Sequence, residues 1–241
     1  MLDRRIALSY IAACAVLAGC RGRLAPLIPL PLAPVARDSA VAWAGATVPA
    51  HRTAIRFRWR YQDDQRRWGG RGQARIAPPD SLRFDYVGTL GLGVGAAAMV
   101  GDTVVWADPE KNFRSLVPAV RMLWAGLGIV RPPAPDATVF GERVQSAGSG
   151  GSADSVVRLW RFIQGEDTLD YRESTGSGRV LEAEWRQRGK VLARSRTQCD
   201  EHAMPASARI DFPEGRARFE LTVVAMDTAA AFDPAICRSR R

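Results

Sequence analysis

The chain has 241 residues, of which 46% are hydrophobic and 24% charged, with a formal net charge of +9. The positive charge is almost all arginine, Lys111 and Lys190 being the only lysines. Acidic residues are interspersed and no basic run stands out, so the excess reads either as attraction to anionic lipid headgroups or as the arginine usage of a GC-rich genome.

At the start of the chain, Arg4 and Arg5 precede an uncharged, mostly apolar run from Ile6 to Gly19 that ends in Leu17-Ala18-Gly19-Cys20. A basic start and a short apolar core make a secretory signal, too short for a comfortable membrane span. Leu-Ala-Gly-Cys resembles a bacterial lipoprotein signal. The resemblance implies cleavage before Cys20, acylation of its thiol and new amino group, and a membrane held through that lipid. Arg21 stands where an Asp would favour the inner membrane, which points to the outer one. An ordinary signal cut elsewhere, with Cys20 incidental, is the alternative. Losing residues 1–19 removes one net positive charge and leaves +8, and export takes nucleic acid out of consideration as a partner.

Residues 20–37 carry Pro26, Pro29, Pro31 and Pro34 without periodicity, an extended linker holding the domain off the bilayer. Residues 38–241 fit one domain, large enough to bury its own core. Asp38-Ser39 predicts the cap of a short helix over Ala40–Ala46 with Trp43 on its buried side. Ile55, Phe57, Trp59 and Tyr61 then alternate with Arg56, Arg58 and Arg60, a strand with one wet face. After the Asp63-Asp64-Gln65 turn, Trp68–Ala77 returns as a second strand whose Gly69, Gly70 and Gly72 suggest a bulge or a close approach.

Leu82, Phe84 and Tyr86 alternate with Arg83 and Asp85 in a third strand, followed by the glycine-punctuated apolar tip Gly88-Thr-Leu90-Gly-Leu92-Gly93. Water should not tolerate Leu90 and Leu92 at a hairpin tip without an apolar partner, so they point to membrane or acyl contact, or to packing under a lid. Gly91-Leu-Gly93-Val-Gly-Ala96 fits a dinucleotide-binding fingerprint. The charged alternation before it and the break at Gly101-Asp102 supply neither the buried parallel strand nor the full helix that this chemistry requires.

Thr103–Trp106 reads as another strand. Phe113, Leu116, Val117, Val120, Leu123, Trp124 and Leu127 form an amphipathic stripe broken by Pro118 and closed by Gly126 and Gly128. Asp136 predicts the cap of a second short helix reaching Val144, and Gly148–Gly151 a loop. Strands resume over Val156–Gln164, Asp167–Glu173, Arg179–Gln187, Lys190–Gln198, Ala206–Phe212 and Arg216–Ala225, the spacing of a meandering antiparallel sheet. A one-sided sheet of this length must curl and be covered, and the helices are the available lid.

No catalytic constellation is legible. His51 and His202 lack metal-ligand spacing, and neither a G-x-S-x-G nor a P-loop occurs, so no enzyme, metal or cofactor is expected. With Cys14 in the signal and Cys20 lipidated, Cys199 and Cys237 remain. An even pair in an oxidising envelope suggests a disulfide, two free buried thiols being the alternative. The aromatic set Phe57, Trp59, Phe84, Trp106, Trp124, Trp160 and Trp185 suits an ordinary core. A sharper reading has Phe57, Trp59, Leu82, Phe84, Leu123, Trp124 and Leu127 lining a cavity for acyl chains, where each buried methylene contributes about 0.8 kcal/mol.

From Asp38 to Asp227 the pattern resembles the LolA/LolB family, on Leu82-Arg-Phe-Asp-Tyr86 with Thr89-Leu90-Gly91, on His202-Ala-Met204-Pro205 with Ala208-Arg-Ile210-Asp, and on Gly215-Arg-Ala-Arg-Phe219-Glu-Leu221. The last two are similar to the penultimate hairpin of the LolB branch. The resemblance implies a mainly β fold, a curved antiparallel half-barrel with short helices over an apolar cavity. It implies a monomeric outer-membrane protein without catalysis that accepts lipoprotein acyl chains from a periplasmic lipoprotein carrier, and a membrane-inserting leucine at Leu90. The alternative is a membrane-tethered assembly scaffold of the same fold. The chain departs from that family in its longer Gly-rich tip with Leu92 and Val94, its Pro-rich tether and its C-terminal extension.

Overall fold

A computed structural model describes residues 25–29, 31–89, 93–146, 155–176 and 178–238. In chain order the elements are β1 (Ala33–Pro34), α1 (Arg37–Gly45), β2 (Thr53–Gln62), β3 (Arg67–Ala77), β4 (Ser81–Gly88), β5 (Gly95–Val100), β6 (Thr103–Asp108), α2 (Glu110–Leu116), α3 (Val120–Gly126), β7 (Thr138–Ser146), β8 (Ser155–Gln164), β9 (Asp167–Thr175), β10 (Arg179–Gln187), β11 (Lys190–Cys199), β12 (Pro205–Phe212) and β13 (Ala217–Asp227), then a short 3₁₀ turn, Pro234–Cys237. The strands form one antiparallel sheet in the order β1-β7-β8-β9-β10-β11-β12-β13-β2-β3-β4-β5-β6.

Alternation decides the two faces. In β2 the residues Ile55, Phe57, Trp59 and Tyr61 are buried, while Arg56, Arg58 and Arg60 are exposed on the outer face. The sheet curls around its apolar face because nothing else could cover so many one-sided strands. The three short helices fill the hollow. α3 packs on β10, β11 and β12, its Ala125 carbonyl accepting from Thr197 Oγ1 at 2.7 Å, and Trp124 Nε1 donates to Gly101 O at 2.8 Å. As the stripe and Pro118 predict, the chain breaks between α2 and α3.

Three expectations are corrected. The segment expected as a helix from Asp136 to Val144 is the strand β7, because Thr138, Val139, Phe140 and Val144 favour the pleat, and Gly141 admits the Trp160 ring, which a Cβ would meet at 3.0 Å. The first helix starts at Arg37, with Ala36 at its N-cap and no side-chain cap, although Trp43 is buried as expected. The proline-rich segment is bound to the domain from Ala25 onward. Ile28 and Leu32 are buried against Leu159, β1 pairs with β7, and the segment crosses the outer face as a strap.

Beneath the strap lies a buried ionic network. The Asp170 side chain is fully buried, held bidentately by Arg161 at 2.7 and 3.0 Å and by Arg186 at 2.5 Å. Glu184, equally buried, forms an ion pair with Arg186 at 3.2 Å and accepts hydrogen bonds from Arg194 and the Leu27 backbone amide. The Ile28 and Ala25 carbonyls accept from Arg161 and Arg194. Buried charges need partners on every side, and the strap's main chain supplies those that the sheet lacks.

Candidate functional site

The strand registers bring the 63–66, 165–166, 188–189 and 213–216 turns and the root of the β4–β5 hairpin to one end of the half-barrel. There an apolar cavity of about 460 Å³ opens between Trp59, Tyr86, Trp68 and Leu116, with Gly69, Gly88, Thr89, Gly93 and Asn112 at its mouth. That volume lies in the range of small-ligand sites, roughly 300–1,000 Å³.

Glycines shape it. A Cβ on Gly70 would stand 2.0 Å from Val87 O, one on Gly72 2.4 Å from the Phe57 ring, and one on Gly95 2.4 Å from the Tyr86 ring. The bare backbone therefore lets the aromatic rings lie against the sheet instead of standing off it, the close approach that glycine in a strand permits. Trp59 meets Tyr86 edge-on at 6.1 Å and donates its Nε1–H to Arg71 O at 3.2 Å. Thr89 Oγ1 ties the hairpin root to Gly69 O at 2.8 Å. Burial raises the pKa of the Tyr86 hydroxyl, so it stays neutral, and it has no hydrogen-bond partner among the described residues. With Arg67, Thr89 and Asn112 it supplies the polar groups of a mostly apolar wall.

The rim also faces water with apolar groups. Trp68 is 46% exposed, tilted against Tyr61 and covered by the Arg66 guanidinium at 5.5 Å, and Val94 is 61% exposed. An aromatic ring beside arginine suits a lipid–water boundary, where an apolar body and a charged head are both satisfied.

The expected lining is largely redistributed. Phe57, Leu82, Phe84, Leu123, Trp124 and Leu127 are between 0 and 3% exposed and belong to the packed core, with Phe57 stacked on Phe84 at 5.1 Å. Of the seven, Trp59 alone borders the cavity at the rim. The helices fill the hollow they were expected to roof. Trp106 is not core but lies half-buried on the outer face, where Arg83 stacks over it at 5.2 Å. Leu90, Leu92 and Cys20 lie outside the described residues. Trp68 and Asn112 are not legible in the sequence as site residues, because one sits in a glycine-rich run and the other on the polar side of a helix. Tyr86 and Leu116 belonged to legible patterns that did not say which member would border a void.

The disulfide is corrected: both thiols are free. Cys237 lies on the outer face over β3 and β4, its Sγ 3.6 Å from Arg75 O. Cys199 ends β11, with Arg179 Nη1 3.7 Å from its sulfur. Four strand spacings of about 4.8 Å separate β11 from β3, well past the reach of a disulfide at about 7 Å between Cα atoms. Burial pushes both thiols up from their usual pKa.

At the opposite end a smaller cavity of about 360 Å³ is bordered by Trp43, Glu173, Arg179, Leu127, His202 and Met226. Trp43 and Arg179 hydrogen-bond Glu173 at 2.9 and 2.7 Å. His202 is exposed beside Glu201 at 3.5 Å. Among the described residues no group of three or more His, Cys, Asp and Glu side chains could hold a metal ion, and no helix is long and apolar enough to cross a membrane.

No protein-family model matches the chain, and no curated protein matches it in sequence. Solved structures do. A LolA superfamily protein from Nitrosomonas europaea is similar with a TM-score of 0.53 at 11% identity, over 84% of this chain and 97% of that one. A domain described as a candidate outer-membrane lipoprotein-sorting protein from Vibrio parahaemolyticus matches at 0.46 and 9%, over 78% and 90%. A DUF1329 family protein from Desulfovibrio piger matches at 0.48 and 7%, over 85% and 95%. The fold is thus a mainly β, LolA-like curved open sheet, with thirteen strands and three short helices among the described residues.

Proposed function

We propose that this protein is an outer-membrane lipoprotein, anchored through Cys20, that takes acyl chains of lipoproteins into the rim cavity and passes them to the membrane beside the Leu90–Leu92 tip. The observation that carries the reading is the apolar cavity of about 460 Å³ opening at the root of that hairpin. Leu90 and Leu92 follow Thr89 in the sequence, and Thr89 itself lines the cavity. The step is passive, since burying each methylene contributes about 0.8 kcal/mol wherever it is buried and no bond is made or broken. The membrane needs only to offer a larger apolar volume than the cavity.

A fluorescent fatty-acid probe tests it. The full chain should bind the probe, and Asn112→Trp, which puts bulk at the mouth from an exposed position, should weaken binding tenfold or more without lowering Tm. Leu90→Glu should leave probe binding intact and slow delivery of an acylated lipoprotein to liposomes. Equal binding by parent and Asn112→Trp, or none by either, would sink the proposal.

A second reading rests on the packed interior. Six of the residues expected to line an acyl cavity are core, which suits a tethered assembly scaffold of the same fold that moves no lipid. Such a scaffold would fail the probe test while keeping its fold.

A further inference from the structure

The arginines of this chain are divided by the sheet. Every arginine from Arg158 to Arg196 has an acidic partner within 4.0 Å. On the outer face of β2 and β3, Arg56, Arg58 and Arg71 have no ion-pair partner among the described residues. These three border a groove of about 1240 Å³ that runs along the outer face toward the β4–β5 hairpin. Arg58 and Arg71 face each other in register, with Arg56 two residues along the same strand, so the three Cα atoms lie within about 7 Å of their neighbours. Like charges set directly opposite destabilise a sheet. The groove's Asp85 does not relieve them, because Arg75 and Arg83 hold it at 3.1 and 2.9 Å.

Apolar groups flank the charges. Val224, turned outward where β13 shifts register, and Val94, beside the hairpin, are each 61% exposed on the groove. The half-buried Trp106 lies along the same wall. Unpaired guanidinium groups among exposed valines and a tryptophan are the composition of a surface that sits in a headgroup layer.

The strap turns this face toward a bilayer. Ala25 is fixed on the outer face by Arg194 of β11. The five residue-to-residue steps from Cys20 to Ala25 can span at most about 18 Å. A lipid on Cys20 would therefore keep the outer face of β11 within that distance of the membrane, and β2 lies three strands further on, about 15 Å. This part of the argument rests on the lipid anchor of the proposed function.

We propose that the outer-face groove is a docking site for an anionic phospholipid surface, with Arg56, Arg58 and Arg71 on headgroup phosphates and Val94 and Val224 at the boundary of the acyl region. Arginine is suited to this because its planar fork binds phosphate through two N–H groups. The docked domain would present the hairpin and its cavity obliquely to the bilayer.

The test uses the full chain carrying Cys20→Ala, so that no acyl anchor competes, and vesicles of phosphatidylcholine with or without phosphatidylglycerol. The chain should prefer the phosphatidylglycerol vesicles, and the preference should fall as salt rises. The triple variant Arg56→Gln, Arg58→Gln, Arg71→Gln should lose that preference on the order of a hundredfold, with Tm unchanged. A control with the paired Arg172→Gln and Arg196→Gln should keep it. Retained preference in the triple variant, or equal binding to both vesicles, overturns the proposal. So does displacement from the vesicles by millimolar inorganic phosphate, which would make the groove a small-anion site. An acidic peptide captured by the parent chain while phosphatidylglycerol vesicles are not would overturn it in favour of a protein partner. Asn112→Trp separates this idea from the lipid-transfer reading. It should weaken fatty-acid probe binding tenfold or more and leave vesicle binding intact, and the arginine triple should do the reverse.

Discussion

Glu173 keeps its charge in a setting that would ordinarily suppress it. Burial alone would raise its pKa, but hydrogen bonds from Arg179 and Trp43, with the charges of Arg179 and Arg158, outweigh burial and hold the carboxyl below its usual range. A carboxyl with a depressed folded-state pKa adds stability above its unfolded value, about 4.3, and loses that contribution as pH falls through the folded value. Glu173→Gln should lower stability at neutral pH by about 3 kcal/mol, a Tm drop on the order of 10 °C. The gap between parent and variant should stay constant above about pH 5 and close in acid, measured as Tm against pH. Nothing in the sequence marked this residue. It sits among alternating polar and apolar neighbours, and its partners come from α1, β8 and β10. Leu82 and Phe84 show the converse limit. Alternation correctly put them on the inner face, but whether an inner face meets a void or another side chain depends on what α2 and α3 bring, which no strand records.

At the scale of the element, the strands were the most legible part. β2 and β8 to β13 fall within about two residues of the pattern-based bounds, because alternation with turn residues between leaves few other solutions. β7 is hidden in the sequence because an Asp after a proline run imitates a helix start. The strap is hidden in the sequence because four prolines obscure Ile28 and Leu32, whose burial is with residues more than a hundred positions away. The glycines of β3 suggest a bulge or a close approach, and the unshifted register makes them the latter. Gly70→Ala would drive a methyl group into Val87 O, and because backbone cannot rotate aside, β3 and β4 must part. The expected cost is about 1–3 kcal/mol, seen as a lower denaturant midpoint with the m-value unchanged, while Gly45→Ala, with nothing within 4 Å, should cost nothing measurable.

For the molecule as a whole, the half-barrel class followed from many one-sided strands and few helices, whereas the rim cavity and the outer-face groove arise from curvature and become visible only once the sheet has closed on its helices. An open sheet, unlike a closed barrel, has two free margins. One is β6, six residues between Asp102 and Pro109. The other is β1, two residues of the strap, ending in Pro34 with Pro29 and Pro31 just before it. A proline has no N–H to offer, so the strap pairs inward with β7 and presents a poor template outward. Deleting residues 25–34 should uncover the β7 margin together with Leu159 and Phe140, and the shortened chain should self-associate with rising concentration in sedimentation velocity while the parent does not. The prolines that look like slack in the sequence are the selvedge of the sheet. They fix how wide the fabric is woven and keep a neighbouring molecule from continuing it.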